Sequence, residues 1–415
     1  MVESSTVSSA ARRIMERADA ICQRDPLEHG VGRVVFTPEH IRAREALVSW
    51  ARDAGLRPSV DGVGNFWFLP ASGSAPRFLM GSHFDSVPRG GRYDGALGVL
   101  LALEVAGDRC GPGDAPNDVA VVDFIAEESS RFGVGTVGSS VYAGTRSLEQ
   151  ALALEDSHGV AFGSLRPGLW TQLPEYDGVD PRVLDAYLEV HVDQATDLVD
   201  ARAQVAVIDA IAAPTRWRVA VRGVQAHSGS APMAGRHDAL LAAAELIQRV
   251  NALARSHVGS ELRATVGALD VLPNAANVIA GEAVFIVDLR VLEVDDALTF
   301  GGRFGAEVSD VMARHGVTIE VRQLLSDRPA QMDGAVAEAL AEAAAAANVA
   351  AIGVSSWSAH DAMHVASLVP SGMLLVRNVG GVSHSPQEAV DVDDVDAALK
   401  VARGAIERLS GSGRR

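Results

Sequence analysis

The chain has 415 residues, 48% of them apolar, and is long enough for two domains with substantial cores. A formal net charge of −17 excludes nucleic acid and anionic membranes as natural partners, because both demand concentrated Lys and Arg. Two cysteines, Cys22 and Cys110, supply neither a disulfide framework nor a cysteine-rich zinc site, and Lys400, the sole lysine, leaves Schiff-base chemistry one poor candidate. The N-terminal MVESSTVSSAARRIMERADA lacks the apolar core of a secretory signal, and no run of about 18 apolar residues spans a bilayer, so a cytoplasmic soluble protein is expected.

In chain order, the apolar run Phe78 to Met80 leads into GSHFDSVPRGGRYDG, which delivers His83, Asp85 and Asp94 into a glycine-punctuated turn region. Imidazole and carboxylate are zinc ligands, and both must sit on backbone able to bend around an ion. The run Asp118 to Ala126 reads as a buried strand and ends at Glu127 and Glu128, while Ala186 to Val190 runs into His191. Met373 to Val376 leads through Gly380 and Gly381 to His384. Candidate ligands at the ends of four strands match the rule that open α/β sheets bind ligands beyond the carboxyl ends of their strands.

Between His191 and His384 the pattern changes. Arg216 to Gly223 alternates polar and apolar, His237 to His257 reads as helix, Ala264 to Asp270 and Val284 to Val291 as strands, Ala297 to His315 as helix, and Val317 to Leu324 as a last strand. The order βαββαβ predicts a ferredoxin-like α+β module over 214–328, inserted into a discontinuous α/β catalytic domain with a mixed sheet over 1–213 and 329–415. The Ala-rich Asp333 to Asn348 predicts a helix in the second portion.

The ligand set is too large for one tetrahedral zinc but fits two ions about 3.5 to 4 Å apart when a carboxylate, naturally Asp94, bridges them. Glu127, adjacent to a ligand, suits a general base and acid that moves a proton from water to a leaving nitrogen. Asp85, two residues beyond His83, is placed to orient that imidazole.

The motifs GSHFDSVPRGGRYDG, AEESSRFG, LEVHVDQ, HSGSAPMAGRHDAL, PNAANVIAGEAVFIVDLR, SAHDAM and GGVSHSPQE resemble, in order and spacing, the amidase, hydantoinase and carbamoylase branch of the dizinc aminoacylase and carboxypeptidase superfamily. The resemblance runs from about residue 30 to residue 395. It implies a dizinc amidohydrolase with an inserted lid that also mediates homodimerisation. His83, Asp94 and His191 would serve on one side and Glu128 and His384 on the other, with Asp94 shared and Glu127 as the base. Zinc is the expected ion, with manganese, cobalt or nickel compatible with such a site.

It also implies that His227 reaches an active site, commonly that of the partner subunit, to stabilise the oxyanion, and that Arg290 grips a substrate carboxylate. Asn277 and Gln194 match residues that contact substrate, with Ser383 and His360 as further candidates, although SAHDAM could also cap a helix through Asp361. The implied substrate is an N-carbamoyl-L-amino acid, with allantoate the nearest alternative and an aminoacylase or dipeptidase activity more distant. A binding protein that keeps the fold without catalysis is the contrasting reading, and intact Glu127 and ligands oppose it.

Three places depart from the branch's pattern. HVDQA stands for HIEQG, introducing Asp193 and Ala195, and EESSRF stands for EEGSRF at Ser129. SWSAHD stands for SGAGHD, which sets Trp357 where glycine is usual and implies a changed pocket.

Overall fold

The computed structural model describes residues 7–22, 30–110, 118–165, 168 and 170–411. The first six residues of the N-terminal segment lie outside these, and the remainder of that segment forms the helix Ser9–Ala20, capped by Ser8. No helix among the described residues is long and apolar enough to cross a membrane. The chain divides into two compact units, one of 1–209, 331–356 and 360–415 and the other of 210–330 and 357–359.

The chain first lays down β1 (Leu56–Val60), β2 (Phe66–Pro70), β3 (Phe78–His83), β4 (Val119–Phe124), β5 (Ala186–Val192) and β6 (Val205–Ile211). It continues through β7 (Ala213–Arg222), β8 (Ala226–His227), β9 (Leu262–Leu272), β10 (Val278–Ile279), β11 (Glu282–Val291) and β12 (Thr318–Ser326). Three strands follow, β13 (Ala330–Gln331), β14 (Ala351–Ser356) and β15 (Ser371–Val376).

The first unit is built on a nine-stranded mixed sheet in the order β1-β2-β4-β3-β5-β15-β6-β13, with β14 paired to β6. Its centre, β4-β3-β5-β15, is parallel, whereas β2 pairs antiparallel with β4 and β6 with β15. Every residue of β3, β4, β5 and β15 is buried, which explains why these segments read as apolar runs rather than alternating patterns. The helix Ala96–Asp108 is buried almost throughout and joins Leu97, Leu100 and Leu103 to the core of Met80, Val121, Leu188 and Leu374. The Ala-rich segment forms the helix Gly334–Ala346, whose Asp333 cap accepts the N–H groups of Ala335 and Val336.

In the second unit, β7, β9, β11 and β12 form an antiparallel sheet in the order β12-β7-β11-β9. Alternate β11 residues, Ala283, Phe285, Val287, Leu289 and Val291, pack with Leu246 and Val250 of the helix Ala239–Arg255 and with Phe300 and Phe304 of the helix Val294–His315. One face of the sheet is therefore covered by two helices, and the period-2 pattern of β11 follows from it. A two-stranded ladder, β8 with β10, lies beyond the elements expected from sequence.

Candidate metal centre

The four central parallel strands bring the candidate ligands together at their carboxyl ends. His83 is the last residue of β3 and His191 lies near the end of β5. Past β4, Ala126 turns the chain in the left-handed region at φ 54° and presents Glu127 and Glu128. His384 adopts the same region, also at φ 54°, a conformation non-glycine residues adopt at local energetic cost. Gly95 follows Asp94 at φ 62°, and a Cβ there would strike the His83 ring, so this position requires glycine.

Two groups of three share Asp94, the first being His83, Asp94 and His191 and the second Asp94, Glu128 and His384. Asp94 Oδ1 lies 3.4 Å from His83 Nε2 and 3.2 Å from His191 Nε2, and the two imidazole nitrogens are 3.4 Å apart. Asp94 Oδ2 lies 3.4 Å from His384 Nε2, which is 3.3 Å from Glu128 Oε1. A tetrahedral ion with ligand bonds of about 2.0 to 2.1 Å separates neighbouring ligand atoms by about 3.3 Å, so these spacings fit a divalent cation.

The tautomers strengthen the fit. His83 Nδ1 is 3.0 Å from the Asp85 carbonyl and His191 Nδ1 is 2.9 Å from the Val192 carbonyl, contacts that call for N–H at Nδ1. The Gly95 N–H, 3.2 Å from His191 Nε2, agrees with a lone pair on that atom. Two Nε2 lone pairs and a carboxylate oxygen thus face one another, an arrangement that repels unless a cation lies between them. Glu128 Oε1 is buried without a well-aligned hydrogen-bond donor, which is consistent with a ligand atom.

Charge around the centre is predominantly negative. Burial opposes the charge of Asp94, whose carboxyl nonetheless lies well below its ordinary range when His191 and His83 carry protons toward it. Burial raises Glu127 well above its ordinary value, and Glu128, Asp361 and Asp85 push the same way. Glu127 Oε2 lies 3.7 Å from His83 Nε2. The neighbouring Glu128 carboxylate, with Asp94 adding to it, raises His384 to about 9.

Asp85 is expected from sequence to orient the His83 imidazole, and its backbone makes the closer contact. The group that receives His83 Nδ1 is the Asp85 backbone carbonyl, while its carboxylate stands 3.7 Å from that nitrogen. The carboxylate instead accepts the backbone N–H groups of Glu127 at 3.2 Å and Glu128 at 3.1 Å.

The other candidates divide between the two units. Gln194 Nε2 and Ser383 Oγ donate to Asp94 Oδ2 at 3.3 and 3.4 Å. The His360 ring is buried against His191 with centroids 4.6 Å apart, and its Nε2 meets Ser356 Oγ at 3.0 Å. In the second unit, His227 ends β8 and Asn277 directly precedes β10, with the Asn277 carbonyl accepting the Ser228 N–H at 2.9 Å. Exposed His227 accepts the N–H groups of Gly229 and Ser230 at Nδ1, which places its proton on Nε2. Arg290 pairs with Asp288 at 2.9 Å.

Capping by Asp361 is not found. Its side chain makes no cap hydrogen bond and accepts from Ser139 Oγ at 2.5 Å. Asp193 closes the turn after β5 by accepting the N–H groups of Ala195 and Leu198. Sequence reading missed Glu388, a buried carboxylate whose Oε1 accepts the N–H groups of Tyr93 at 2.7 Å and Asp94 at 3.2 Å. Its one signal was its place four residues after His384. It also missed buried Glu189, which accepts from Ser82 Oγ at 2.8 Å and from the Ala362 N–H at 2.7 Å.

Comparison with known proteins gives the chain's family. Residues 79–408 match peptidase family M20/M25/M40. The chain is 32% identical to an N-carbamoyl-L-amino-acid amidohydrolase of Paenarthrobacter aurescens, with 92% of this chain and 93% of the relative covered. It is 33% identical to a probable allantoate deiminase of Oryza sativa subsp. japonica, covering 88% of this chain and 82% of the relative. The crystal structure of an amidase of the hydantoinase/carbamoylase family from Burkholderia multivorans superposes with a TM-score of 0.82 at 30% identity, over 96% of this chain and 97% of that one. The chain belongs to peptidase family M20/M25/M40 and, within it, to the amidase, hydantoinase and carbamoylase branch.

Proposed function

We propose that the chain is a dimetal amidohydrolase that cleaves the C–N bond of an N-carbamoyl-L-amino acid. The observation that carries this reading is the pair of ligand groups sharing Asp94, with the Glu127 carboxyl 3.7 Å from a ligand nitrogen. The names of the relatives support it, both those of carbamoylases and that of the allantoate deiminase.

His83, Asp94 and His191 would hold one ion and Asp94, Glu128 and His384 the other. Two divalent ions there would lower the pKa of a water to near neutrality and polarise the ureido carbonyl. Glu127 takes the proton of that water and hands it to the nitrogen that leaves as the C–N bond breaks. Its raised affinity for a proton suits the second half of the task, and cations held by the neighbouring ligands would bring it back toward a working base. One water is consumed. The amino acid is released with carbamic acid, which falls apart into carbon dioxide and ammonia.

The segment 214–328 is assigned as a ferredoxin-like lid and dimerisation domain, and 1–213 with 329–415 as the catalytic domain. The strand order β12-β7-β11-β9, with helices on one face, supports the first assignment. Within the lid, Nε2–H of His227 is the donor assigned to the oxyanion. Arg290, its guanidinium oriented by Asp288, is assigned to the substrate carboxylate, and Asn277 to a polar contact. Allantoate hydrolysis uses the same parts.

The test is a chelated preparation reloaded with zinc or manganese and given N-carbamoyl-L-alanine, allantoate and N-acetyl-L-alanine. Equimolar ammonia and alanine from the first substrate support the reading. Ammonia from allantoate alone selects the alternative, and alanine from the acetyl substrate without ammonia from either of the others overturns both.

A further inference from the structure

The ladder between β9 and β11 sets Arg263 directly opposite Arg290. Both lie on the sheet face turned away from the two helices, since the alternate residues Leu289 and Val291 belong to the core. Directly opposite side chains approach to about 4.5 to 5.5 Å at Cβ, and like charges in that position cost stability. The local acids only partly offset this. Asp288 accepts Arg290 Nε at 2.9 Å with one oxygen, but its other oxygen accepts Arg216 Nε at 2.6 Å, so one carboxylate serves two guanidiniums. The acid that Arg263 meets among the described residues is Glu261 at 3.1 Å, an exposed pair of the kind that contributes little and exchanges readily.

Trp357 organises both arginines. The Arg263 guanidinium lies 4.1 Å from the centroid of the indole ring, and Arg290 Nη1 lies 3.4 Å from the Trp357 carbonyl. A guanidinium seated over an indole keeps its N–H groups at its edge, and Glu261, which accepts Arg263 Nε at 3.2 Å and Nη2 at 3.1 Å, holds that edge until a substrate carboxylate replaces it in bidentate fashion.

We propose that Arg263, held on Trp357, is a second carboxylate-recognising residue beside Arg290. The favoured substrates are then N-carbamoyl derivatives of dicarboxylic amino acids of the aspartate and glutamate kind. This rests on the amidohydrolase reading above and names its substrate class.

The experiment measures ammonia release by the metal-loaded protein from N-carbamoyl-L-aspartate, -glutamate, -alanine and -leucine, for wild type, Arg263→Met and Trp357→Gly. Wild type is expected to show kcat/KM at least about 10-fold higher on the acidic substrates, the scale of one charge-assisted hydrogen-bonded contact. Arg263→Met is expected to lower the acidic-to-neutral ratio by about 10- to 100-fold, chiefly through KM, with the melting temperature held. Trp357→Gly moves the ratio in the same direction. A preference for the neutral substrates, or a ratio that Arg263→Met leaves in place, overturns the inference while ammonia release keeps the amidohydrolase reading. Should Arg263→Met fail to fold, the wild-type ranking alone decides. Silence on every substrate overturns the amidohydrolase reading and this inference with it.

Discussion

The carboxylate of Asp85 accepts the backbone N–H of Glu127 at 3.2 Å, and its second oxygen accepts that of Glu128 at 3.1 Å. One buried side chain thus sets the peptide that presents both the assigned base and an assigned ligand, while its own carbonyl receives His83. Replacing it by Asn keeps one acceptor and turns an N–H group toward the other donor. Asp85→Asn is expected to lower kcat by about 10- to 100-fold, read by ammonia release, with metal content measured beside it. Wild-type kcat in a correctly metallated variant would contradict the positioning role.

Glu127 carries the proton in the proposed reaction. Glu127→Gln keeps size and hydrogen bonding but cannot accept a proton, so kcat is expected to fall by about 10²- to 10⁴-fold. Two ions per chain should remain, because Glu127 belongs to neither ligand group. Residual turnover near wild type would remove it from the base role and favour a binding protein.

The Asp94 loop depends on Glu388, buried and bonded to the N–H groups of Tyr93 and Asp94. Glu388→Ala strands both donors and is expected to weaken metal binding by about 10- to 100-fold in a competition with a chelating dye. Glu388→Gln, which retains an acceptor oxygen, should lose less. Equal affinity in the alanine variant would show that the loop holds itself.

Much of the site is legible in sequence because parallel strands impose a simple pattern, an uninterrupted apolar run that ends in a chemically active residue. His83, Glu128 and His191 all follow from that. Glu388 does not, since its partners lie 295 and 294 residues away and its own neighbourhood is a polar loop. Spacing also cannot tell which oxygen of Asp85 meets His83, because carbonyl and carboxylate differ only by local torsion. The helix and strand order of 214–328 shows in its periodicity, whereas β8 and β10 are two residues each, too short to carry any period. Trp357 is visible as an anomaly, but its stacking beneath Arg263 needed the fold, since 94 positions separate them in the chain.

His364 gives a pH prediction away from the metal ligands. Burial, with the charge of Arg146 adding to it, pushes its pKa down to about 4, and its two nitrogens meet Thr136 Oγ1 at 2.9 Å and Thr145 Oγ1 at 3.2 Å. In the unfolded chain it titrates near 6.5. The unfolded state therefore binds the proton first, and the stability present above about pH 6.5 is lost as pH falls toward about 4. His364→Gln should flatten the slope of unfolding free energy against pH in that window by up to about 1.4 kcal/mol per pH unit. An unchanged slope in denaturant titrations would mean that His364 is solvated.

His227 is assigned to an oxyanion in the partner subunit's site. His227→Ala is expected to lower kcat by about 10²- to 10³-fold. Mixing His227→Ala with Glu127→Gln should then restore about a quarter of wild-type activity, because half the dimers are mixed and each mixed dimer has one intact site. No recovery, or a fully active monomer in sedimentation, would contradict the shared site.

The most direct test of the central claim is ammonia release from an N-carbamoyl-L-amino acid, followed as chelated protein is titrated with zinc or manganese. The account predicts no activity without metal, a rise that saturates at two ions per chain, and no comparable rise in Glu127→Gln loaded with the same two ions. Full activity in the chelated protein, or two bound ions without ammonia from any carbamoyl or allantoate substrate, would contradict it.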